Sequence, residues 1–279
     1  MEIKNFKGSG VFMEAINKFY LMNGIIYPIN NFTDEDYKQK IVYEVLRVVN
    51  GKAVFLKDHL NRMKKSFKLI NEEIPYNDEE IESLINEVIK SNNNAMGNIK
   101  ITYNTSNGNF KIYYIMHCYP DEEYYKKGVK VILYYGEREN PNLKIVSTEF
   151  RAKIAEKMKE ANAHEALLVD RNGCITEGSK SNFFGIKDKK LITAKGEAVL
   201  RGITRDKIFK IAEELGIEIQ EKEIKASEIS DLDSLFISGT SVAILPISQV
   251  DDIKFDVNNE VLRNIMKIYN DLLEGKKEY

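Results

Sequence analysis

The sequence predicts an α+β protein built as two mixed α/β domains, and three observations carry that expectation. β-rich runs meet at Asn-Gly pairs in both halves of the chain, apolar residues recur at helical spacing between them, and a polar stretch bounded by Pro120 and Gly128 separates the halves. A chain of 279 residues, 43% hydrophobic and 30% charged, can bury a substantial core and is long for one domain of ordinary size. We therefore expect a smaller N-terminal domain over 1–119, a linker at 120–128 and a larger C-terminal domain over 129–279.

After an irregular opening, residues 41–56 (IVYEVLRVVNGKAVFL) read as two strands split by Asn50-Gly51, a strong hairpin signal. Asp58 then caps a helix, DHLNRMKKSFKLI, in which Leu60, Met63, Phe67 and Ile70 share one face. A second helix follows Pro75, over 78–90, and residues 98–118 alternate around Asn107-Gly108. Beyond the linker, 129–135 reads as a strand, 147–162 as a helix, and 165–186 as two or three strands turning at Asn172-Gly173. A helix over 204–215 closes at Gly216. Then come a strand at 217–224, strands at 235–247 around a Gly-Thr-Ser turn, and a last helix at 259–273.

Composition narrows the function classes. Forty-one Lys and Arg against 43 Asp and Glu leave a formal charge of −2, which gives no general attraction to nucleic acid or to anionic membranes. Cys118 and Cys174 are too few for a disulfide framework and lack zinc-site spacing, so two reduced thiols and no metal are expected. The opening MEIKNFKGSGVFMEAINKFY has no continuous apolar core, and no run is long enough to span a bilayer, which places the protein in the cytoplasm.

Four clusters suit chemistry. In ITEGSKSNFF a strand delivers Glu177 into a small-residue turn, although such a Glu taken alone is usually a solvated strand end. In VLRGITRDKI, Gly202 permits a close backbone approach, and a helix opens with unsatisfied N–H groups at Ile203 and Thr204, an anion site in principle. FISGTSVAILP places Gly239, Thr240 and Ser241 at a strand end, where a plain turn is the simplest alternative. Arg62 follows His59 on nearly the same helix face, and its fork suits a phosphate if it points into a cleft.

The ordered motifs HLNRM, PNLK, EALLVDRNGCITEGSKSN, LRGITR and FISGT together resemble the class IV aminotransferases, the fold type IV pyridoxal-phosphate enzymes. That family includes branched-chain aminotransferases, D-amino acid aminotransferases and aminodeoxychorismate lyases. The resemblance implies a D-amino acid aminotransferase-like fold, pyridoxal 5′-phosphate as cofactor, and Lys144, in Asn140-Pro141-Asn142-Leu143-Lys144, as the Schiff-base lysine. Lys153 is the nearest rival but falls inside the expected helix. By the same resemblance, Glu177 faces the pyridine nitrogen. Arg62, the backbone of Ile203 and Thr204, and the Thr240 and Ser241 hydroxyls hold the phosphate.

Tyr43 matches a substrate-pocket tyrosine, with a half-buried strand tyrosine as the equal alternative, and Gly239 is placed with it beside the substrate. The implied reaction is transamination between an amino acid and a 2-keto acid, with small molecules as partners and a homodimer as the assembly. A lyase on the same scaffold, acting on aminodeoxychorismate, is the alternative, followed by a non-catalytic binding protein. Gly202-Ile203-Thr204-Arg205 and FISGT resemble the aminotransferase versions of these loops. ITYNTSNGNF lacks the Arg-x-His pair of the D-amino acid enzymes, and Ala243 and Leu245 replace the Glu and Thr of the branched-chain motif, so the substrate stays open.

Overall fold

The structure, a computed structural model, describes residues 14–34, 41–117, 119–138 and 148–279. Asn23 and Gly24, at φ 48° and 81°, turn β1 (Ala15–Met22) back onto β2 (Ile25–Pro28). This hairpin corrects the irregular opening expected above. An Asn-Gly signal was present, but the pairing of β1 shifts register between Ile16 and Leu21, which blurs the alternation that marks a strand.

Asn50 and Gly51 make the same kind of turn, at φ 51° and 73°, between β3 (Ile41–Val49) and β4 (Lys52–Ala53). The second strand is only two residues long. Phe55 takes a left-handed φ of 54°, and α1 (Leu56–Leu69) begins there rather than at Asp58, which sits in the first turn facing the positive helix end. A capping box between Asn77 and Glu80 starts α2 (Asp78–Ser91). The strands β5 (Gly97–Asn104) and β6 (Phe110–Ile115) complete an antiparallel sheet in the order β2-β1-β6-β5-β3-β4. Cys118 lies outside the described residues.

The period of two along β3 divides its side chains. Val42, Leu46 and Val48 enter the core with Met63 and Phe67 of α1 and Ile85 of α2. Tyr43 and Val45 point to the opposite face, where Val45 pairs with Lys100 of β5. Glu44 shares the helix-facing side with Val42 and Leu46, and is only 1% exposed.

The polar stretch expected as a linker contains α3 (Glu122–Lys127), supported by the i,i+4 pairs Glu122–Lys126 and Glu123–Lys127 and closed by Gly128 at φ 73°. The chain then runs through β7 (Val129–Tyr135), α4 (Thr148–Glu160) and β8 (Glu165–Val169), with β7 and β8 parallel. The strands β9 (Ile175–Gly178), β10 (Asn182–Lys187) and β11 (Lys190–Thr193) follow, the last of them missed in the sequence. After α5 (Ile203–Glu214), the strand expected over 217–224 shrinks to β12 (Ile219–Glu221), which pairs parallel to β11. Then come β13 (Ser234–Gly239), β14 (Ala243–Val250), β15 (Ile253–Lys254) and α6 (Glu260–Leu273), capped by Asn259.

These nine strands form a second sheet, and a β9–β10 bridge closes β10-β13-β14-β7-β8-β9 into a ring. Phe183 points into the ring with Leu167, Ile237 and Leu245, whereas the next residue, Phe184, faces outward. It stacks on Phe236, ring centroids 4.9 Å apart, beneath α5 and α6. No described helix is long and apolar enough to cross a membrane.

Candidate active site

The strand pairing of the ring sets three polar residues in one row. Glu177 of β9 pairs with Asn182 of β10, which pairs with Ser238 of β13. All three line a cavity of about 480 Å3 shared with the open face of the first sheet, a volume usual for a small-molecule site (~300–1,000 Å3). Glu177 is 3% exposed, not a solvated strand end. One carboxylate oxygen lies 3.1 Å from Arg138 Nη1, and the other accepts the Leu200 N–H at 3.1 Å.

Asn182 shapes the neighbouring wall. Its amide donates to the Leu200 carbonyl at 2.8 Å, and its Oδ1 would lie only 2.2 Å from a Cβ at position 202. Gly202 therefore serves close approach; its φ of −78° is open to any residue. We expect Gly202→Ala to displace the Asn182 amide, to lower stability by about 1–3 kcal/mol, and to distort the start of α5. Chemical denaturation checks this, and a variant as stable as the wild type would remove close packing as the reason for glycine.

Gly202 caps α5 without a side chain, so the first-turn N–H groups, with Ile203 and Thr204 on the cavity wall, make a positive helix end. Thr204 Oγ1 lies 3.1 Å from the hydroxyl of Tyr269 on α6, a phenol whose burial pushes its pKa up to about 12. Arg62 of α1 reaches the same end, its Nη1 donating to the Arg201 carbonyl at 3.3 Å. The rest of its fork is committed to Glu44: Nε to Oε1 at 2.8 Å and Nη2 to Oε2 at 2.6 Å. Burial alone would lower the guanidinium pKa; Glu44 outweighs this, and the net shift is upward. His59 Nδ1 also meets Glu44, at 2.9 Å.

At the third wall, the turn between β13 and β14 presents Gly239, Thr240 and Ser241. Asn98 of β5 donates to Ser241 Oγ at 2.7 Å and accepts from the Tyr119 hydroxyl at 2.9 Å, tying the turn to the first sheet. Opposite, the Tyr43 hydroxyl accepts from Arg151 Nη2 of α4 at 2.7 Å. Lys100 Nζ pairs with Glu14 at 2.6 Å. His164 lies on the wall as well, its imidazole pKa lowered by burial despite Glu165.

Eight of the residues singled out from the sequence, Tyr43, Arg62, Glu177, Ile203, Thr204, Gly239, Thr240 and Ser241, thus surround one cavity. The ninth, Lys144, lies outside the described residues. Its rival Lys153 sits on α4, 64% exposed and paired with Glu149. Sequence reasoning missed Glu44, Arg138, Arg151, Asn182 and Tyr269. Glu44 had a signal, as a charge within the apolar run IVYEVLRVV; the others are ordinary polar residues until the fold brings them in.

A glycine-capped helix end and a buried carboxylate line one small-molecule cavity, and the helix end suits an anionic ligand. A family model described as amino-transferase class IV matches residues 41–250. The branched-chain-amino-acid aminotransferase of Pseudomonas aeruginosa is 30% identical over 261 residues, 85% of this chain and 85% of that protein. The D-alanine aminotransferase of Bacillus licheniformis is 28% identical over 223 residues, 75% of this chain and 78% of that protein. Among solved structures, the branched-chain aminotransferase of the thermophilic archaeon Thermoproteus uzoniensis with norvaline is similar with a TM-score of 0.83 at 22% identity, over 94% of this chain and 96% of that one. The Escherichia coli branched-chain enzyme gives 0.81 at 22% identity, over 94% and 96%. The chain belongs to the class IV amino-transferase family and is an aminotransferase.

Proposed function

We propose that this chain transfers an amino group between an amino acid and a 2-keto acid on pyridoxal 5′-phosphate, with Lys144 as the cofactor-bearing lysine. The observation that carries this reading is Glu177, a carboxylate 3% exposed in the cavity that also receives the N-terminus of α5. The residues present fit the cofactor. Ser238 Oγ is buried on the wall with no hydrogen-bond partner among the described residues, and the cradle beside Gly202 admits no Cβ.

When bound, the cofactor supplies an electron-withdrawing ring that stabilises negative charge at the substrate Cα. Glu177, held by Arg138 and the Leu200 N–H, would stand at the ring nitrogen and keep it protonated. The N–H groups of Ile203 and Thr204, the Nη1 edge of Arg62, and the Thr240 and Ser241 hydroxyls would hold the phosphate. The Lys144 amine moves the proton at Cα, and Tyr43 and Gly239 border the substrate. In this reading, 120–128 divides a smaller N-terminal from a larger C-terminal domain, and the protein works as a cytoplasmic homodimer.

The test is a half-reaction. Substrate amounts of holoenzyme, mixed with L- and D-amino acids in parallel and no acceptor, should convert the cofactor to its pyridoxamine form. Pyruvate and aminobenzoate release from aminodeoxychorismate, with no pyridoxamine formed from any amino acid, would overturn the reading in favour of the lyase. Glu177→Gln keeps the shape and removes the charge. It should retain the cofactor and lose about 100-fold or more in turnover; near-normal turnover would remove Glu177 from the site.

A further inference from the structure

Five Arg and Lys side chains line the cavity; Lys180 is exposed to solvent, and among the other four, which come from four segments, one stands apart. Arg62, Lys100 and Arg138 each lie within 2.6–3.1 Å of a carboxylate, from Glu44, Glu14 and Glu177 respectively. Arg151 does not. Its hydrogen-bond partner is the neutral phenol of Tyr43, at 2.7 Å, and among the described residues no carboxylate comes within ion-pair distance of it. Placing a half-buried guanidinium in a cavity beside a neutral partner leaves its desolvation uncompensated by an anion. Lys100 Nζ also sits over the Tyr43 ring, 5.1 Å from its centroid, so two cations flank one aromatic side chain.

This locus is built from different elements than the others. The anion cradle uses α5 and α1, and Glu177 sits on β9, whereas Arg151 and Tyr43 come from α4 and β3. Tyr43 accepts from one N–H of Nη2, which fixes the plane of the fork; the second Nη2 N–H, together with the N–H of Nη1 or Nε beside it, remains a two-donor edge. Such an edge matches a carboxylate in two parallel bonds.

We propose that Arg151, oriented by Tyr43, binds a carboxylate of the substrate. The proposal rests on the aminotransferase reading, because amino acids and 2-keto acids all carry that group. The carboxylate has two possible sources: the one beside the reacting carbon, common to every substrate, or a second one on an acidic side chain. Both present the same chemistry to the guanidinium.

The experiment measures binding without turnover. Holoenzyme is titrated by calorimetry with glutarate, which carries two carboxylates, and with 4-methylvaleric acid, which carries one. Arg151→Gln should weaken glutarate by about 10- to 100-fold with cofactor content unchanged, and Arg151→Lys by less. Loss confined to glutarate identifies the side-chain carboxylate, and equal loss of both acids identifies the common one. In steady state the same variant should raise KM for the affected substrates more than it lowers kcat. Unchanged affinity for both acids, no binding of either acid to the wild type, or loss of cofactor along with the acids overturns the proposal. Wild-type protein that binds the acids through Arg151 yet transfers no amino group would sink the aminotransferase reading and leave this inference standing.

Discussion

Borohydride reduction of the holoenzyme should fix a pyridoxyl group on the peptide containing Lys144, and Lys144→Ala should lower turnover by about 10²- to 10⁴-fold, the usual contribution of a positioned proton carrier. The residue itself lies outside the described segments, and its flanks support the assignment. Arg138, which follows β7, reaches Glu177, and Arg151, in the first turns of α4, reaches Tyr43. Both line the cavity, so described residues on either side of Lys144 in the sequence reach its wall. Lys153 is displaced onto the solvent side of α4 by the helical period. A label on the Lys153 peptide, or no label at all, would defeat the assignment. Cofactor retained by Lys144→Ala should be measured in parallel, because the proposed phosphate contacts do not involve this residue.

What the sequence disclosed depended on how local each signal was. The Asn50-Gly51 turn and the helix ending at Gly216 are written in adjacent residues, and both were legible. The hairpin at Asn23-Gly24 carried the same turn chemistry but was obscured because β1 shifts register, which breaks its period of two. Around the cavity, Glu177, Gly202 and Thr240 were found because each sits in a compact motif. Arg138, Arg151 and Tyr269 were not found, because only the closure of the ring and the packing of α5 on α6 bring them to the site, from positions distant in the chain. The solvated reading of Glu177 failed for the same reason: β9 looks like a strand end in isolation, and its burial comes from β10 and the loop ending at Leu200.

The second large effect concerns the cation expected on the phosphate. From sequence, Arg62→Ala would be a test of cofactor affinity alone. The structure makes it a test of stability too, because Arg62 and Glu44 form a two-point pair 12% and 1% exposed, with His59 on the same carboxylate. Removing the guanidinium strands a buried carboxylate, a change that typically costs about 3–5 kcal/mol. Arg62→Ala should therefore destabilise the cofactor-free protein by an amount in that range, read by urea unfolding. Combining it with Glu44→Gln, which removes the stranded charge, should recover about 1–3 kcal/mol of the loss. Cofactor affinity should fall by about 10- to 100-fold in both the single and the double variant, because the Nη1 edge beside Arg201 is missing from each. Unchanged stability of cofactor-free Arg62→Ala would show that Glu44 does not depend on this partner. Unchanged cofactor affinity in both variants would confine Arg62 to holding α1 against β3.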